Sequence, residues 1–109
     1  MSVRREQVWS RIRELEKEKA KAELTVREGK KLMEILDRIK KAFMEALTAA
    51  RQGTTLTRVV FSSTADVWVR RIEYELRNIE NVKRQIRGII ETNEREMRKI
   101  DQELSLIHI

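Results

Sequence analysis

Apolar side chains recur along this chain at alternating intervals of four and three residues, in two long runs separated by one short break. The first run reads Val8, Ile12, Leu15, Lys19, Ala22, Val26, Gly29, Met33, Leu36, Lys40, Phe43, Leu47, Ala50. The second reads Ala65, Val69, Ile72, Leu76, Ile79, Lys83, Ile86, Ile90, Asn93, Met97, Ile100. A strand alternates every two residues, so this spacing belongs to helices packed along a seam. The expectation is an all-α protein, an antiparallel two-helix coiled-coil hairpin with helices about 3–52 and 64–103. At ~1.5 Å per residue the first helix would run roughly 70 Å.

The break sets the connection. Gly53 stands where a left-handed C-terminal cap is wanted. Thr54 to Phe61 is β-branched and alternating, which resists helix. It reads as a short ordered loop or as a strand completed by a partner. Ser63-Thr64-Ala65-Asp66 fits a capping box opening the second helix. Folding about the loop centre pairs residue i with roughly 115 − i and matches apolar partners along the full length.

Composition narrows the function classes. Residues 1–103 make at most one domain, with little interior for a hairpin, so a partner or self-association is expected to add stability. Charged residues make up 39% of the chain and aromatics 5%, and there is no proline or cysteine. Disulfides, thiolate zinc sites and cysteine nucleophiles are therefore out. No apolar run reaches the ~18 residues of a membrane span. The opening residues lack the apolar core of a signal peptide, and a cytoplasmic protein is the simplest reading. The formal net charge of +6 favours an acidic partner. Many charges fall in acid-first pairs four apart, such as Asp37–Lys41, Glu73–Arg77 and Glu80–Arg84, which support a solvated helix face.

The seam carries polar interruptions. Lys19, Lys40 and Lys83 are expected to bury their stems and lift their ammonium groups to water, setting register with Asn93. Gly29 either admits a close helix approach opposite Ile86, marks a bend, or is drift. Nearer the loop the stripe widens, flanked by Leu32, Ile39 and Ala46 on the first helix and by Trp68, Val82 and Ile89 on the second. A two-stranded seam does not need that width, which suits a helix in a larger bundle.

Catalytic constellations are missing from the sequence. The three glycines are isolated, so there is no phosphate loop. Bundle di-metal sites use Glu-x-x-His pairs, and none occur. The expectation is a non-enzyme without cofactor or metal. Basic points at Arg4-Arg5, Arg70-Arg71 and Lys83-Arg84 come without a nucleic-acid motif or an aromatic stacking platform, so nucleic acid is not the expected partner.

The last six residues, Leu104-Ser105-Leu106-Ile107-His108-Ile109, abandon the charged composition. They resemble the translation of a transposase mosaic end used in sequencing adaptors. Residues 104–109 are therefore read as an adaptor-derived scar, with a natural chain expected to continue beyond Glu103 and the only histidine not native.

The stretch from Ile12 to Ala22, Ile-Arg-Glu-Leu-Glu-Lys-Glu-Lys-Ala-Lys-Ala, resembles the opening pattern of the FliJ/YscO family of flagellar and type III secretion export machines. A second likeness runs from Gly53-Thr54-Thr55 to Trp68, Ile72, Leu76 and Ile79. Leu56 to Phe61 is more apolar and β-branched than the family pattern. The resemblance implies a non-catalytic stalk or escort protein of an export ATPase, inserting a hairpin into the ATPase ring or carrying export chaperones. On that reading Trp68, Val82 and Ile89 supply packing contacts, and Arg70, Arg71 and Arg84 meet acidic partner surfaces. Arg27 to Met33 is similar to the first helix of the central-stalk family of rotary ATPases. The alternative without an export role is a helical adaptor that self-associates into a four-helix bundle.

Overall fold

The computed structural model describes the backbone of residues 2–52 and 55–107 and the side chains of 4–52 and 66–107. It holds two α-helices, α1 (Ser2–Gln52) and α2 (Thr55–Ile107), and no strand among the described residues. The protein is an all-α helical hairpin. Gly53 and its expected cap lie outside the described residues.

The second helix starts earlier than the β-branched stretch suggested. Residues from Thr55 on are helical, and Ser63 to Asp66 lie inside the helix rather than capping it. The physical reason is arithmetic. A β-branched residue costs a helix only tenths of a kcal/mol, while each added residue gains a backbone hydrogen bond. Without a proline to remove a donor, nothing in 55–65 stops the helix. At the other end, helix continues past Glu103 to Ile107. Leu104 and Ile107 extend the four–three spacing from Ile100 and are half-buried, while Leu106 is exposed.

Two compact units divide the chain: residues up to Lys31 with those from Ile86 on, and Leu32–Gln85. Each is an antiparallel pairing of one segment of α1 with one of α2. In the first unit the core is Ile12, Leu15, Ala22 and Val26 against Ile90 and Ile100, with Leu15 at 1% exposure. Gly29 sits in this core because a Cβ there would lie 2.7 Å from Ile90 Cγ1 and 3.6 Å from Ile86 Cγ2. Of the three readings of Gly29, the close approach holds, with Ile90 nearer than Ile86. In the second unit Ile72 and Ile79 are buried, and Met33, Leu36, Phe43, Leu47 and Leu76 are half-buried.

Ion pairs across each seam report the register. Residue numbers add to 120 for Lys19 with Asp101 in the first unit, and for Asp37 with Lys83 and Lys40 with Glu80 in the second. The longer arginine pairs scatter around this value, Arg11 with Glu103 at 114 and Arg51 with Glu73 at 124, and the close contact of Gly29 with Ile90 adds to 119. The register is therefore displaced by about four to five residues from the 115 expected.

Candidate protein-docking face

The polar seam residues are held by partners that the spacing alone did not reveal. Lys83, 9% exposed, places its ammonium against Asp37 and 3.9 Å from Glu80 Oε1. Lys40 Nζ lies 2.6 Å from the same Glu80 oxygen, and Lys19 Nζ lies 2.7 Å from Asp101 Oδ1. The hydrogen bond from Lys19 to Asp101 raises the lysine pKa above its usual 10.5. Arg11 donates to Glu103 from Nε and Nη2 at 3.1 and 2.9 Å and to Glu14 at 3.2 Å, which raises its pKa. Arg51 pairs with Glu73. Asp37, Glu80 and Glu73, expected to pair along their own helices, thus reach across to the other one. Asn93 donates its amide to the Ile89 carbonyl at 2.8 Å, one turn back on its own helix. These contacts tie the two helices of each unit across their seam. Among the described residues no group of three or more His, Cys, Asp or Glu could hold a metal ion.

Val8, Trp9, Leu24 and Ile89 of the first unit are exposed singly, whereas the second unit exposes a continuous apolar line. Leu32, Ile35 and Ile39 expose 49%, 45% and 39% of their surface. Ala42, Ala46 and Ala49 continue the same line, also exposed. These six positions repeat at intervals of three and four, each one residue before a seam position. At ~100° per residue they form a second apolar line beside the first. A helix with two adjacent apolar lines is built to contact two neighbours, and here only one is present. In the first unit the equivalent positions of α1 are Gln7, Arg11, Glu14, Glu18, Lys21, Thr25 and Glu28, all polar. The second line therefore begins at Leu32, where the second unit begins.

The sequence-predicted residues distribute unevenly around α2. Trp68, Arg71 and Val82 each precede a seam position by one residue. In an antiparallel pair such positions fall on the same side from both helices, so these three adjoin the second line of α1. Trp68 is 59% exposed, Val82 is also exposed, and Arg71 pairs with Glu75 at 3.3 Å. Arg70 and Arg84 lie roughly 120–160° around α2 from the seam, away from that side. They are exposed and make no ion pair with a described residue. Ile89 is exposed but belongs to the first unit. The expected site is thus an apolar flank containing Trp68 and Val82, and a separate basic edge containing Arg70 and Arg84. Ile35, Ala42 and Ala49 were missed in the sequence. Their signal was the second three–four repeat running one residue out of step with the first.

No helix among the described residues is long and apolar enough to cross a membrane. No protein-family model, curated protein or solved structure matches the chain.

Proposed function

We propose that this protein is a non-catalytic coiled-coil adaptor that works by helix–helix docking and self-associates through the second unit. The observation that carries the reading is the unpartnered apolar line Leu32, Ile35, Ile39, Ala42, Ala46, Ala49 beside a seam that is already satisfied. A continuous apolar line on a surface otherwise dense in charge marks a contact surface, because leaving it in water forgoes ~25 cal/mol for each Å² of apolar area. The test is the solution mass of the chain by light scattering across concentration. A dimer is the expected result, and a monomer at all concentrations overturns self-association.

A second reading draws support from the basic edge. Arg70 and Arg84 have no intrachain ion pair among the described residues, and the chain carries a net charge of +6. Together with the resemblance to the FliJ/YscO pattern, this supports a stalk or escort role on an acidic partner such as an export ATPase ring. Co-purification with that ATPase tests it. Binding that survives Arg70→Glu with Arg84→Glu argues against the basic edge as the contact.

A further inference from the structure

The apolar line of the second unit is not uniform. Its first half is large, Leu32, Ile35 and Ile39, and its second half is small, Ala42, Ala46 and Ala49. Two copies laid side by side in parallel would oppose large to large and small to small. That arrangement crowds one end and leaves gaps at the other, and both are costly in a packed interface. Two copies laid antiparallel behave differently. When residue i of one copy faces residue 81 − i of the other, Leu32 meets Ala49, Ile35 meets Ala46 and Ile39 meets Ala42. Every large side chain then finds a small one, which is how facing helix layers interdigitate without voids.

The charges bordering the line obey the same symmetry. Arg38 and Glu45 stand at its outer edge, both exposed and neither in an ion pair with a described residue. In the antiparallel arrangement Arg38 of each copy lies two residues, ~3 Å along the axis, from the level of Glu45 of the other, within reach of its long side chain and close to the twofold axis. In the parallel arrangement Arg38 faces Arg38 and Glu45 faces Glu45. Shape and charge are independent observations, and they select the same pairing. The matching line on α2, read as Trp68, Arg71, Glu75, Asn78, Val82 and Gln85, is mixed, so the contact runs along α1.

We infer that a second copy of this chain covers the face, with α1 packed antiparallel on α1 of its partner about a twofold axis between residues 40 and 41. The interface is isologous and closes after two copies. This inference rests on the self-association reading and specifies its geometry.

The chain has no cysteine among the described residues or elsewhere in the sequence, so single cysteines report cleanly. Three samples are oxidised: Ala42→Cys alone, Ala49→Cys alone, and Leu32→Cys mixed with Ala49→Cys. Near the axis, Ala42→Cys meets its own copy and forms a disulfide dimer. Two copies of position 49 lie ~25 Å apart along the helices and do not cross-link. The mixture cross-links as a heterodimer. Efficient cross-linking of Ala49→Cys alone indicates a parallel pair and overturns the inference. So does a dimer in solution whose mixed sample stays uncross-linked. A parent chain that is monomeric by light scattering fails the self-association reading itself, which is a separate result. A charge test is independent of cysteine chemistry. Glu45→Arg weakens the dimer by about three- to tenfold in Kd, and Arg38→Glu added to it restores affinity. No restoration in the double variant overturns the Arg38–Glu45 contact and with it the proposed register.

Discussion

At the residue scale the two described glycines have opposite reasons to be there. A Cβ at Gly29 would press on Ile90 Cγ1 at 2.7 Å, a branch atom fixed close to its own helix. Alanine gains ~1 kcal/mol of helix propensity, but overpacking costs ~1–3 kcal/mol. Gly29→Ala is therefore expected to destabilise by up to about 2 kcal/mol. Gly88 has nothing within 4 Å of its Cβ position. Gly88→Ala is expected to stabilise by ~0.5–1 kcal/mol. Urea unfolding of both variants checks the pair, and equal signs would show that backbone propensity alone governs these sites. Lys83 offers a different test. Its ammonium is buried against Asp37, whose own side chain is 58% exposed. Lys83→Met removes a desolvated charge and leaves its carboxylate partner in water, so stability should hold or rise. A loss above ~2 kcal/mol in the same unfolding experiment would mean that the ion pair outweighs its desolvation.

At the element scale the seam was legible residue by residue. Every seam position from Ile12 to Ala50 and from Val69 to Ile100 is buried or half-buried. The exception is Val8, which is exposed near the start of α1; Ala65 lies outside the described side chains. The periodicity carries this because a helix shows the same face every seven residues whatever it packs on. Leu15, the most buried residue, should lose ~2–5 kcal/mol on truncation to alanine, whereas Val8→Ala should fall within ~0.5 kcal/mol. Thermal melts followed by circular dichroism compare them directly. The helix start was not legible, because β-branching is a weak penalty that a helix without proline or a described break absorbs. Ion pairing across the seam has a pH signature. The Lys19 pKa is raised in the folded chain by Asp101. Its contribution is complete below about pH 10.5 and is lost as pH rises through the higher folded value. Between pH 9 and 12 the parent should lose more stability than Lys19→Met, and identical alkaline losses would show that the pair contributes nothing.

At the scale of the whole molecule, folding and association are coupled. If the second unit covers its apolar line with a second copy, dilution should lower the melting temperature, because mass action favours the folded state only where copies meet. A melting temperature that stays constant over a hundredfold dilution would exclude that coupling. Ala46→Glu, which places a charge in the middle of the small half, should abolish the concentration dependence while leaving helix content in place. Position 46 is exposed and lies beside the seam rather than in it, so loss of helix would show that it serves the hairpin itself.

Helicity, the pairing of the helices and the identity of the seam residues were readable from the order of residues alone, since all three follow from a local period. The same order also located the apolar flank through Leu32, Ile39 and Ala46. Three-dimensional packing alone set where the pairing register falls, which carboxylate meets each seam lysine, and that Gly29 stands in close contact with Ile90. Those quantities depend on the axial offset between two helices. A heptad pattern repeats every seven residues and is satisfied almost equally well by neighbouring offsets. Only the close approach of particular side chains, Gly29 with Ile90 and Lys83 with Asp37, distinguishes one offset from the next.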